Sequence, residues 1–372
     1  MKLLVISLSL VAAFAPPKKT TWRDLDSTGY LFSFDQYCRE YGKQYVGAEK
    51  ERRSRIYYAA LEQIKEHNTG NSTYKMGLSQ HTDKDETEWK SLKGLHRGLL
   101  FSQTRVGAPE RSRSLESLPA SLDWREKGVV TKVKDQGGCG SCWAFSATET
   151  LESALAIAGG PLLELSPQEL VSCAPNPKSC GGSGGCDGST QPLAFNYTAR
   201  AGEVLASSYP YEGSTGTCDP TKVKSPAMGI KGYVTLPTND YAELMAAVVE
   251  QGPIAISVDA SWGMYEEGVF TCADYETSLC GTTIDHAVQL VGYGTEGGLD
   301  YWLVRNSWGE SWGEGGYIKV ARYGATSKGE PCGTDSNPGE GYGCKGGPAT
   351  LPVCGISGIL SASSYPTGAF AH

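Results

Sequence analysis

The chain has 372 residues, more than one ordinary domain holds, so it can bury a sizeable core, which excludes a peptide hormone or small toxin. Its 33 basic and 41 acidic residues give a net charge of -8 with no long basic block, which argues against nucleic acid as a partner. Forty-seven glycines, 19 prolines and only 20% charged residues describe a loop-rich globular chain and not a disordered or all-helical one.

Residues 1-15 carry one lysine, an apolar run and the small-x-small end Ala13-Phe14-Ala15, the pattern of a cleaved secretory signal. Pro16, Pro17, Lys18 and Lys19 stop that run short of the ~20 residues a membrane anchor needs, and no later segment is long enough to span. Twelve cysteines then imply an oxidising compartment in which most are paired. Asn71-Ser72-Thr73 and Asn196-Tyr197-Thr198 are glycan acceptor patterns.

Charge divides the remainder into two expected domains. Residues 16-116 hold 18 basic and 14 acidic residues, a net of +4, whereas 117-372 hold 14 and 27, a net of -13. The halves are complementary in sign. In the first, Glu49 to Asn68 is free of Gly and Pro, and Ile56, Tyr57, Leu61 and Ile64 recur at helical spacing, which predicts one long amphipathic helix. Leu95 to Ser117 has little periodicity and reads as an exposed linker open to proteolysis.

In the second half, a helical period runs from Trp143 to Ala158 and stops at Gly159-Gly160. Ser166-Pro167-Gln168-Glu169 predicts a capping box, and Asp240 with Glu243 a similar helix start. Apolar runs at Ile254-Val258, Ala287-Tyr293, Tyr301-Arg305 and Tyr317-Val320 predict strands. Helices first and strands afterwards give an α+β body in two lobes. Residues 324-352, rich in Cys, Gly and Pro, read as a surface insertion.

Gln136-Gly-Gly-Cys-Gly-Ser-Cys-Trp-Ala-Phe-Ser runs straight into the Trp143 helix, so Cys142 falls at a helix N-terminus. Unpaired amides and the positive end of the dipole there favour a thiolate. A structural disulfide or a zinc half-site would use the same spacing, but the second half offers only His286 and His372 as imidazole ligands. His286, entering an apolar strand, is the one internal imidazole available to a reactive thiol; Asn306 follows another strand twenty residues on and could orient its ring.

Together these residues resemble the papain family, close to its cathepsin L branch, whose signature joins Cys-Gly-Ser-Cys-Trp to a distant His and Asn. The resemblance implies a papain-like fold, with a helical lobe, a β-barrel-like lobe and a cleft between them, behind a mainly helical inhibitory propeptide. The propeptide matches too. Of the family's E-x3-R-x3-F-x2-N-x3-I-x3-N, this chain has Glu49, Arg53, Tyr57, Ala60, Ile64 and Asn68; of G-x-N-x-F-x-D it has Gly77, Ser79, His81 and Asp83, with Ser79 and His81 departing.

The resemblance implies Cys142 as nucleophile, His286 as general acid and base, Asn306 as its orienting amide and Gln136 as oxyanion donor, with no cofactor or metal. It also implies a thiolate-imidazolium pair and hydrolysis through a thioester. Trp308 would shield the His286 to Asn306 hydrogen bond and border the substrate. Gly188, Ser189, Ser257, Ile284, Ala287 and Ala362 would line the pocket for the second residue upstream of the cut, favouring Leu, Phe or Val; Ser189 departs from a family glycine. The insertion either reshapes that pocket or decorates the surface, and decoration is the expectation. By the same resemblance Cys139 pairs with Cys186, Cys173 with Cys218 and Cys280 with Cys354. Cys180, Cys272, Cys332 and Cys344 would then make two more bridges, leaving Cys142 unpaired.

Expected partners are peptide substrates and the chain's own propeptide, in a monomer of the secretory pathway, lysosomal, vacuolar or extracellular. Two alternatives stay open: a papain-like binding protein that retains its propeptide without turnover, and a disulfide-rich recognition module presenting Trp262, Trp308 and Trp312. Acid is expected to weaken the attraction between the +4 and -13 halves and to favour cutting near Ser117.

Overall fold

A computed structural model describes residues 19-94, 115-272, 279-324 and 329-372. The signal pattern of residues 1-15 and most of the linker lie outside them. Three short capped helices and one long one build the N-terminal segment: α1 (Trp22–Ser27), α2 (Phe34–Glu40), α3 (Gly47–Thr69) and α4 (Glu86–Leu92). Thr21, Ser33 and Asp85 each close a full capping box, satisfying amides that a helix of six or seven residues would otherwise leave open. The predicted long helix is α3, extended by two residues at its start and one at its end. Its apolar face, Tyr57, Leu61 and Ile64, is buried with Leu25, Phe34 and Tyr37 in a core separate from the rest of the protein.

Arg53 of α3 reaches Glu49 at 2.6 Å and Glu88 of α4 at 2.5 Å, locking the two helices. Asn68 pairs with both backbone groups of Met76, donating to its O at 2.8 Å and accepting from its N at 2.9 Å. That contact holds β1 (Tyr74–Met76), which pairs antiparallel with β6 (Tyr265–Phe270) of the body. The N-terminal segment is therefore hydrogen-bonded into the main sheet.

The body begins with β2 (Leu122–Asp123) and then α5 (Cys142–Ile157), α6 (Pro167–Cys173) and α7 (Gln191–Ala201). β3 (Met228–Gly229), β4 (Gly232–Thr235), α8 (Tyr241–Glu250) and β5 (Ile254–Val258) follow, then β6, β7 (His286–Glu296), β8 (Leu299–Arg305) and β9 (Tyr317–Ala321). The chain closes with β10 (Cys332–Asp335), β11 (Leu351–Cys354), β12 (Ala362–Thr367) and β13 (Phe370–Ala371). The four predicted strands are β5, β7, β8 and β9, and the Trp143 helix is α5. At Ser166 only half of the expected box forms: its hydroxyl accepts from Glu169 N, but the Glu169 carboxylate turns away to Val204 N and Tyr197 OH.

The main sheet runs β1-β6-β9-β8-β7-β5-β12-β4, with β2 on the side of β7. Among the described residues no pairing joins β1 to β4, so the expected barrel-like lobe is an open sheet. Its apolar side packs on α8 and holds Trp262, Trp302, Trp308 and Trp312, all at most 2% exposed. Their burial means that Trp262, Trp308 and Trp312 do not present an exposed recognition surface. A second core gathers α5, α6 and α7. Because α5 packs on β7, the two lobes meet along a helix-strand seam.

Five disulfides fit an oxidising, secretory-pathway environment. Cys139–Cys186 and Cys173–Cys218 form as expected, but Cys280 and Cys354 do not pair with each other. Cys354 faces Cys332 in the β10-β11 register and bonds to it, while Cys280 bonds to Cys272, eight residues away. Both observed pairings are short in sequence, with separations of 8 and 22 residues. Cys180 bonds to Cys344, and Cys38 and Cys142 are the free cysteines among the described residues. No helix of the described residues is long and apolar enough to cross a membrane.

Candidate active site

Cys142 is the first residue of α5 and His286 the first of β7, so the helix-strand seam brings together the two starts. Ala287 N-H points at Cys142 Sγ over 3.4 Å. Asn306, just past the end of β8, accepts the His286 Nε2-H at 2.8 Å and also the Ser307 N-H at 2.8 Å. With Nε2 protonated, His286 Nδ1 is the bare nitrogen; it is buried and without a partner. The Trp308 ring lies over the imidazole at 4.8 Å with planes 30° apart and is itself fully buried, so water cannot compete for the His-Asn bond.

Gln136 is anchored by Ser307, whose Oγ donates to its Oε1 at 2.6 Å and whose carbonyl accepts its N-H at 2.9 Å. Tyr211 holds the same loop, donating to Gln136 O at 2.8 Å and meeting Ser141 Oγ at 2.7 Å. Neither Ser307 nor Tyr211 stands out in the sequence, since each acts through a backbone or amide group. The Gln136 amide donates to Cys139 O at 2.9 Å and, in the cleft, to Leu92 O at 2.7 Å. A backbone carbonyl of the N-terminal segment thus sits on the predicted oxyanion donor.

Leu92, Lys93 and Gly94 fill the cleft. A Cβ on Gly94 would come 2.2 Å from Gly140 O and 2.8 Å from Cys142 Sγ, so only glycine lets the chain pass this close to the thiol. On its other side, a Cβ on Gly188 would lie 2.2 Å from Gly94 O. Lys93 Nζ reaches Asp285, next to His286, at 2.9 Å. Sequence patterning gives no sign of these three residues, because their role comes from where the fold lays them. Above them His81 is buried in aromatic contact with Trp89 at 5.8 Å and Trp308 at 6.2 Å.

Burial sets the protonation of the pair. The Cys142 thiol is pushed up to about 12, first by burial and against the help of the Ala287 N-H. His286 is pushed down to about 3, again by burial, with the Asn306 bond opposing. Burial of both groups in this covered state therefore disfavours the thiolate-imidazolium pair implied by resemblance, working against the helix N-terminus.

The residues expected to line the substrate pocket lie in two groups. Ala362, Ser257 and Ala287 face one another across β12, β5 and β7, and Ile284 lies two residues before His286. Ser257 Oγ is tied to Gln191 at 3.3 Å. Ser189 is wholly buried with its hydroxyl unpaired, packed beside Gly181 behind the Gly188 wall.

Residues 118–347 match the family model for papain family cysteine proteases, and residues 34–89 match the cathepsin propeptide inhibitor domain. The chain belongs to the papain family. It is 39% identical over 336 residues to cysteine proteinase RD21A of Arabidopsis thaliana, covering 86% of this chain and 68% of that protein. The KDEL-tailed cysteine endopeptidase CEP2 of the same plant is 38% identical over 287 residues, covering 74% and 75%. Digestive procathepsin L2 proteinase from the larval midgut of Tenebrio molitor superimposes with a TM-score of 0.68 at 34% identity, covering 90% and 98%. This papain-family chain is a cysteine endopeptidase in its zymogen form, with the inhibitor segment in the cleft.

A side chain at Gly94 has no room, and an unaccommodated one costs ~1–3 kcal/mol. The Gly94→Val precursor should therefore hydrolyse a peptide at pH 7.5 roughly tenfold faster than the unaltered precursor. Equal silence of the two would contradict this account of the cleft.

Proposed function

We propose that residues 1-15 are removed on secretion and that 16-116 are released from 117-372 by cutting near Ser117, leaving a monomeric endopeptidase. It works in a lysosome, a vacuole or outside the cell. Cys142 attacks the scissile carbonyl, His286 Nδ1 takes the thiol proton and returns it to the leaving amine, and water hydrolyses the thioester. Gln136 Nε2 and the Cys142 N-H donate to the oxyanion, each such donor contributing ~3 kcal/mol. Asn306 orients the imidazole beneath Trp308. The observation that carries this reading is the Gln136 contact to Leu92 O: a peptide carbonyl already rests on that donor, beside Cys142. The pocket of Ala362, Ser257, Ala287 and Ile284 favours a hydrophobic residue second upstream of the cut.

Processed enzyme carrying Cys142→Ser or His286→Ala should lose at least ~1,000-fold in kcat on a peptide with Leu at that position. Substantial turnover by either variant refutes the assignment, whereas no turnover by the unaltered processed chain would leave the non-turning-over binding protein as the better reading.

Release of the propeptide depends on which buried groups change charge when the cleft opens. His81 and His286 are both pushed down by burial, so each gains a proton on uncovering, and the covered state weakens as pH falls below the usual imidazole range. Acid also weakens Arg23 to Glu267 across the same interface. Glu266 opposes them. It is buried under Gly77 and Trp22 N and pushed up to about 7, so between about 7 and its ordinary range acid favours the covered state; Asp259, pushed up by burial and Asp285, acts in the same direction. Below pH ~4.5 Glu266 is protonated in both states, while the imidazoles and the Glu267 carboxylate, held low against burial by its Arg23 hydrogen bond, still respond. Conversion of the precursor should therefore be slow at pH 7.5 and rise steeply below about pH 4.5. His81→Phe keeps the aromatic contact and removes one proton site, so its rise should come at lower pH. Equal conversion of the precursor at pH 7.5 and pH 4, or an unshifted His81→Phe profile, would contradict this.

A further inference from the structure

The insertion does not decorate the surface; it crosses between the lobes. On one side the β10-β11 hairpin and Cys332–Cys354 fix it to the sheet lobe. On the other, Cys180–Cys344 fixes it to the helical lobe, where Gly181 N donates to Gly343 O at 2.7 Å and Lys345 N to Lys178 O at 3.0 Å. Between these anchors Tyr342 N donates to Ile284 O at 2.8 Å, and Gly341 lies so close that a Cβ there would come 2.3 Å from the same oxygen. The span from Gly341 to Cys344 is thus backbone against backbone at both ends and covalently held.

Its position follows from its neighbours. Gly181, which bonds Gly343, has its carbonyl against Gly188, the residue that touches Gly94 beside Cys142. Ile284, which bonds Tyr342, is two residues from His286. The half-buried Tyr342 ring packs against two apolar clusters at once, the one holding Ile284 and Val353 and the one holding Ala287. Glu340, just before it, lines a cavity of about 590 Å³ together with Asp187, Asp285, Lys90 and Lys93.

We propose that residues 341-344 form a strap across the cleft beside Gly188 and Ile284, and that Tyr342 is a specificity-determining wall of the pocket for the second residue upstream of the cut. This rests on the reading that Ile284, Ala287 and Ala362 line that pocket. A phenol ring packed against both the Ile284 cluster and the cluster that holds Ala287 takes up space that a large substrate side chain would fill, and two disulfides stop it from swinging aside. The pocket therefore selects Val over Phe.

The test uses precursor processed in acid, with active enzyme counted by titration with an irreversible thiol inhibitor so that misfolded protein does not enter. Fluorogenic peptides differing only in Val, Phe or Arg at the second upstream position are compared by kcat/KM. The unaltered enzyme should favour Val over Phe by roughly tenfold, the scale at which a pocket discriminates by size. Tyr342→Ala should raise the Phe to Val ratio by about tenfold, mainly through KM, and Tyr342→Trp should lower it. Ala362→Glu, which places a carboxylate in the same pocket, should bring in the Arg peptide. If Ala362→Glu admits Arg while the Phe to Val ratio is the same in all Tyr342 variants, the strap proposal fails alone. If Ala362→Glu leaves the Arg peptide uncut, the pocket assignment fails and the proposal with it.

Discussion

The contact from Ala287 N-H to Cys142 Sγ marks where the first turn of α5 is pressed against the start of β7, and the chemistry of the protein depends on that seam. The thiol and imidazole belong to different lobes with different cores, so neither lobe alone forms the pair. What sets their charge is the access of water to the seam. With Leu92, Lys93 and Gly94 laid across it, both groups are fully buried, and desolvation disfavours the charged pair. Inhibition is then electrostatic as well as steric: the segment blocks the cleft and also removes the solvent that the charged pair needs.

The seam is held from behind by buried charge. Arg305, one residue before Asn306, is fully buried and paired with Glu149 of α5 at 3.3 Å, while Lys134 reaches Glu152 one turn further at 2.6 Å. The Arg305 pair couples the end of β8, next to Asn306, to the helix that starts at Cys142, and the Lys134 pair ties the loop leading to Gln136 to the same helix. Such pairs add little net stability once desolvation is counted, but losing one partner strands a charge at a cost of ~3–5 kcal/mol. Their value is geometric, since β8 cannot slide along α5 without breaking the Arg305 pair.

The parts of the fold legible in the sequence are those set by local chemistry. Tyr57, Leu61 and Ile64 mark α3 because one helical face must be apolar, and Cys142 beside Trp143 marks the start of α5 because the motif and the helix period coincide. β5, β7, β8 and β9 are legible because they are buried on both sides. The three residues of β1 carry no such pattern, since only pairing with β6 makes them a strand. The half-formed box at Ser166 has the same cause: Glu169 finds better partners in Val204 N and Tyr197 OH than in its own cap. Cysteine pairing is the part that resemblance misleads. The β10-β11 register puts Cys332 opposite Cys354 inside an insertion outside the family pattern, and that leaves Cys280 to bond with Cys272. Gly94 and Tyr342 lie beyond sequence reading for a related reason, since each matters through a distant backbone it touches.

The central claim is that the covered Cys142 is a neutral, buried thiol that acquires thiolate character only when residues 92-94 leave. Alkylation by iodoacetamide, followed residue by residue by mass spectrometry from pH 5 to 8, tests it on the precursor and the processed enzyme together. Cys142 should stay unmodified in the precursor throughout and react rapidly in the processed enzyme even at pH 5, because a thiol paired with an imidazolium ionises well below its ordinary range. Rapid labelling of Cys142 in the intact precursor at pH 5 would contradict the account.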